Sequence, residues 1–149
     1  MIPFETKYKF RKVISIFLIL SLTGCVSISS FDQQAYLQAT SLKVDALNIM
    51  DLAVENYSTH KNTVKDFRTQ LQKVYEYEKN RPKNEISVQL WDKLKDENGH
   101  LLGGFLKRWE NENKLGETFV TESKKQINDA FDLIVGLESK KLKPKDISL

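Results

Sequence analysis

Between Cys25 and Arg81 the chain holds neither glycine nor proline, and its apolar residues return at helical intervals. Leu37, Val44, Leu47, Met50, Val54 and Tyr57 are followed by Val64, Phe67, Leu71, Val74 and Tyr75, mostly three, four or seven residues apart. Positions 50, 57, 64 and 71 share one heptad register, which allows a continuous helix of about fifty residues, some 75 Å long at about 1.5 Å per residue. Within it, Ser58-Thr59-His60-Lys61-Asn62 contains weak helix formers and marks the place for a kink or a corner. Ser30-Phe31-Asp32-Gln33 fits a capping box at the start, with Ser30 as N-cap and Gln33 reaching back to it, and Pro82 closes the run.

Asn84 and Glu85 then supply a cap and an acidic first turn for a segment carrying Ile86, Leu90, Trp91 and Leu94 on one face. Asn98-Gly99 stops it. A further short helix carries Leu101, Leu102, Phe105, Leu106 and Trp109, and Gly116 breaks the chain again. The last helix shows a stripe of Val120, Ile127, Phe131, Ile134 and Leu137, and closes on Lys140 and Lys141 ahead of Pro144. No stretch alternates as a strand does. The pattern predicts an all-α protein: a long helix, straight or kinked near 58–62, with the later helices packed back on it, or an up-and-down helical bundle.

The first 24 residues follow a different logic. Lys7, Lys9, Arg11 and Lys12 precede the apolar run Val13–Leu22, which spans only about 15 Å as a helix and is too short to cross a bilayer. A charged start, a short apolar middle and small residues before a cut site describe a secretory signal peptide. Its end, Leu22-Thr23-Gly24-Cys25, resembles the lipobox of bacterial lipoproteins. The resemblance implies cleavage before Cys25, a diacylglycerol on its thiol and, in many diderm bacteria, an acyl chain such as palmitate on the new amino group. Two or three acyl chains hold a protein firmly where one does not. Val26 stands where an aspartate would favour inner-membrane retention, so the resemblance further implies the periplasmic leaflet of the outer membrane in a diderm host.

The expected organisation is therefore a signal peptide over 1–24, a lipidated N-terminus and short tether over 25–31, a helical domain over 32–143 and a tail over 144–149. Residues 26–29 extend little more than about 10 Å, which keeps the domain close to the membrane. Removing the signal also changes the charge. The formal +3 falls to zero, because residues 1–24 hold four basic side chains and one acidic, leaving 19 of each sign. Nucleic acid is not an expected partner of a neutral chain. Cys25 is the only cysteine, so no internal disulfide supports the fold.

Candidate chemistry is sparse. His60 and His100 lie forty residues apart outside any metalloprotease pattern, and both are expected in solvent. Lys95-Asp96-Glu97-Asn98-Gly99-His100 lacks calcium-loop spacing. The carboxylate pairs Glu76/Glu78, Asp96/Glu97 and Glu110/Glu112 stand too close in sequence to face each other on a helix. No catalytic residue, metal site or cofactor beyond the acyl chains is expected. Gly103-Gly104 is expected at a helix start or kink packed inside the domain; the alternative is a close backbone approach by another helix or a ligand. With Trp91, Phe105 and Trp109, these glycines are the candidate partner or ligand contacts, although both tryptophans share faces with leucines, as core residues do. Lys140, Lys141, Lys143 and Lys145 form a basic tail, which suits a helix C-terminus and could also meet anionic lipid.

Together these features predict a lipid-anchored, non-catalytic periplasmic binding protein: an adaptor, accessory subunit or modulator of an envelope complex, with phage or plasmid exclusion as a special case. The alternatives are a carrier or sensor of a small apolar ligand held near Trp91, Phe105 and Trp109, and, less favoured, an envelope hydrolase.

Overall fold

Helix formation follows the apolar spacing, but the break in the first long run falls earlier than its weak helix formers suggest. A computed structural model describes residues 29–147; the expected signal peptide, the lipobox-like stretch and Cys25 lie outside the described residues. Within them are five α-helices and no strand: α1 (Gln33–Asp51), α2 (Tyr57–Lys79), α3 (Glu85–Lys95), α4 (Leu102–Glu112) and α5 (Glu117–Glu138). The protein is all-α, and of the two arrangements open from the sequence it adopts the bundle. None of these helices is long and apolar enough to cross a membrane.

The corner lies at 52–56, not at 58–62, which forms the first turns of α2. Leu52–Val54 make one 3-10 turn, Glu55 is extended and Asn56 precedes α2. The physical reason is tertiary. The loop between α4 and α5 satisfies the backbone that a corner exposes: the Tyr57 N–H donates to the Asn113 carbonyl at 2.7 Å, and the Leu115 N–H donates to the Ala53 carbonyl at 2.9 Å. Trp109 adds an indole N–H to the Glu55 carbonyl at 3.0 Å. Met50 and Tyr57 are both buried, as their shared register suggested, yet they sit on different helices.

α1 and α2 run antiparallel. Near the corner, Ile49 and Leu52 flank a groove with Thr63 and Phe67, and at the opposite end the Tyr77 hydroxyl donates to Asp32 at 2.7 Å. α1 also packs along α5, and its inner face is Ala35, Ala39, Leu42, Ala46, Ile49 and Met50, where small residues admit close neighbours. Leu37 and Val44, read from spacing as core, are instead 52% and 57% exposed. The N-cap also differs from the capping box expected at Ser30: Asp32 Oδ1 accepts from the N–H groups of Gln34 at 2.8 Å and Ala35 at 3.1 Å. On the other side of α5 lies α3, whose Trp91 meets Phe131 edge-on at 6.0 Å. All five apolar residues of the expected α5 stripe are buried.

Candidate functional site

Two charged residues occupy places in the apolar stripes. Glu78 follows Leu71 and Val74 on the buried face of α2, and Glu138 follows Phe131 and Ile134 on that of α5. Both are buried, at 0% and 2% exposure. Between them sits Arg81, just past the end of α2, its side chain 7% exposed. One guanidinium nitrogen donates to Glu78 Oε2 at 2.6 Å and to Glu138 Oε2 at 2.7 Å. The other donates to the Ser30 carbonyl at 3.2 Å, and Nε stands 3.7 Å from Asp32 Oδ2.

Neighbouring polar groups complete the cluster. Asn84, buried at the start of α3, turns its amide N–H away from the helix it precedes and donates to Glu78 Oε2 at 2.6 Å and the Glu78 carbonyl at 2.8 Å. Ser87 donates to Glu138 Oε1 at 2.9 Å. Nearby, Lys140 donates its ammonium to the Ser29 carbonyl. Thus the first described residues, placed in the tether by sequence, are held against the ends of α2 and α5, and Ser29 is itself buried.

The electrostatics follow from this crowding. Burial pushes the Glu78 carboxyl above its ordinary 4.5, and the nearby Glu138 charge adds to the effect, against the opposing pull of Asn84 and Arg81. Burial would lower Arg81, but hydrogen bonding and attraction from Glu138 and Glu78 outweigh it and leave Arg81 raised. Asp32 moves the other way, held below its usual range by the Tyr77 hydroxyl and the Ala35 N–H. Glu78 Oε1 and Asn84 Oδ1 have no hydrogen-bond partner among the described residues. A proton on Oε1 would turn one of these orphan acceptors into a donor.

The residues singled out from sequence sit elsewhere and serve the interior. Trp91 and Trp109 are fully buried and Phe105 is 3% exposed, so both tryptophans lie in the core, as the faces they share with leucines suggest. Trp109 meets Tyr57 edge-on at 5.4 Å, and Phe105 stacks on Phe119 at 5.9 Å. Gly103 and Gly104 do mark a close backbone approach, but within the domain. A methyl group at Gly103 would overlap the Lys95 carbonyl, and one at Gly104 the Gly99 carbonyl, so the glycines seat α4 on the loop leaving α3. His60, expected in solvent, packs by Trp109 and bonds Glu55 at 2.8 Å, whereas His100 is exposed.

Among the described residues, no three His, Cys, Asp or Glu side chains converge as metal ligands would. Four open surface grooves of about 240 to 500 Å³ are lined by residues other than Glu78, Arg81 and Glu138. The buried cluster joins helices and the incoming chain and faces none of these grooves.

Glu78, Arg81 and Glu138 escaped the sequence reading as a group. Along the chain the nearest carboxylate to pair with Glu78 is Glu76, yet its counterpart in the fold is 60 residues away on α5. The available signal was register: both glutamates fall on the core side of their helices, where an unpaired charge is costly. Compared with protein-family models, curated proteins and solved structures, the chain matches none.

Proposed function

We propose that this chain is a lipid-anchored envelope protein, fixed through acyl chains on Cys25, whose helical domain acts by binding as an adaptor, accessory subunit or modulator of an envelope complex. The observation that carries this reading is the clamping of Ser29 and Ser30 by Lys140 and Arg81. It leaves a link of about 14 Å at most between Cys25 and a rigid bundle, since four residues extend no further. Such a link holds a partner at a fixed height. It does not suit a carrier that must leave the membrane or a module that must reach across the periplasm.

The non-catalytic reading draws support from the buried carboxylates, whose oxygens are largely engaged by Arg81, Asn84 and Ser87 instead of facing a groove. The ligand-carrier alternative is weaker, because the space near Trp91, Phe105 and Trp109 is filled by the rings of Phe131, Phe119 and Tyr57.

Two measurements test the proposal. Metabolic labelling with a palmitate analogue should mark the wild-type chain but not Cys25→Ser, which should also accumulate as uncleaved precursor. Labelling that persists in the variant overturns the anchor. Photo-crosslinking from the exposed positions Leu37 and Val44, in intact cells, should then join the protein to an envelope protein in stoichiometric yield. Bait alone, from these and other exposed positions, would remove the adaptor reading.

A further inference from the structure

The basic tail acquires a place that its sequence could not give it. Just beyond Glu138, Lys140 adopts a left-handed φ of 61° and turns the chain back. The Leu142 N–H then donates to the Gly136 carbonyl at 3.0 Å, and Leu142 and Ile147 both pack against the core. Lys141, Lys143 and Lys145 are therefore pinned between contact points and do not trail from the domain. Lys79 and Lys83, at the end of α2 and in the turn after it, stand at the same end of the bundle, because Glu78 and Arg81 beside them meet Glu138.

All these lysines, with Lys140, are exposed. The carboxylates there are fewer: Glu76, Glu85 and Asp146 are exposed, whereas Arg81 engages Asp32, Glu78 and Glu138. Phe31, 56% exposed, stands at the same end of the bundle, next to the Ser30 carbonyl that Arg81 holds. An exposed aromatic side chain at the same end as several long cationic ones is suited to a headgroup boundary, where the ring enters the apolar zone and the ammonium groups meet phosphate. The same end of the bundle carries the chain back towards Cys25.

We propose that this end is a membrane-docking face, selective for anionic phospholipid headgroups, with Phe31 as its apolar contact; the assignment rests on membrane attachment near Cys25. Docked this way, α1 and α2 point away from the bilayer and present the corner at 52–56 at the far end, about 28 Å out along a helix the length of α1.

The test uses the full chain carrying Phe31→Trp, reconstituted into vesicles of phosphatidylcholine alone or mixed with phosphatidylglycerol, with brominated acyl chains as quencher. Trp91 and Trp109 are buried, so the quenching reports on position 31. Quenching at least about twofold greater in the anionic vesicles, abolished at about 1 M salt where the Debye length is about 3 Å, is the expected result. Lys141→Glu/Lys143→Glu/Lys145→Glu should abolish it too, and the salt titration tests the same point without altering a lysine. Equal quenching in both vesicle types, or none in either, overturns the proposal. The mass of the reconstituted protein reports cleavage and acylation separately from docking.

Discussion

Arg81→Met should be among the most damaging single changes available in this domain. Arg81 is 93% buried by side chain between two carboxylates that are themselves 0% and 2% exposed, and methionine keeps much of its volume while removing the cation. The substitution leaves Glu78 and Glu138 facing each other without a counter-charge, and leaves the Ser30 carbonyl without its donor. Breaking a buried pair from one side costs about 3–5 kcal/mol. For a domain of about 120 residues, with an unfolding entropy of about 0.25 kcal/mol per kelvin, that corresponds to about 12–20 °C in Tm. The assay is urea unfolding followed by far-UV circular dichroism, at neutral and at mildly acidic pH. Glu78 already has a raised pKa, so a proton can relieve the orphaned site, and the cost should shrink as pH falls. Adding Glu78→Gln and Glu138→Gln to Arg81→Met should restore most of the loss, because no buried charge then remains. A cost below about 1 kcal/mol, the range of exposed ion pairs, would refute the reasoning, as would a triple variant no more stable than the single one.

Three further outcomes are expected. Gly103→Ala should destabilise by about 1–3 kcal/mol in chemical denaturation, because its methyl group meets the fixed Lys95 backbone, and the helix-propensity gain of about 1 kcal/mol does not offset a backbone shift. Gly136→Ala should cost less than Gly103→Ala in the same assay, since its methyl group meets side-chain atoms of Leu142, Cδ1 at 2.5 Å and Cγ at 2.7 Å, which can shift more readily than backbone. Glu78 should impose a pH dependence: a raised folded pKa contributes stability fully present below 4.5 and lost as pH rises through the folded value, so Glu78→Gln should flatten the decline in Tm from pH 4.5 towards neutrality.

The sequence by itself determined the all-α class, the starts of α3 and α5, the α5 stripe and the place of the paired glycines at a helix start packed inside the domain, because these depend on local spacing and breakers. It also carries the lipobox resemblance on Leu22–Cys25, which no folded contact is needed to read. Tertiary structure decided the rest. The corner went to 52–56 because the α4–α5 loop supplies hydrogen bonds there, and a run free of glycine and proline contains no local mark of that. Leu37 and Val44 had the right spacing but the wrong side, since α1 lies between α2 and α5 and its alanines permit the closer approach. The cluster of Glu78, Arg81 and Glu138 depends on a contact across 60 residues of chain. Spacing along one helix can place a glutamate on the buried face, but only the packing of a second helix supplies the cation and donors that let it stay there.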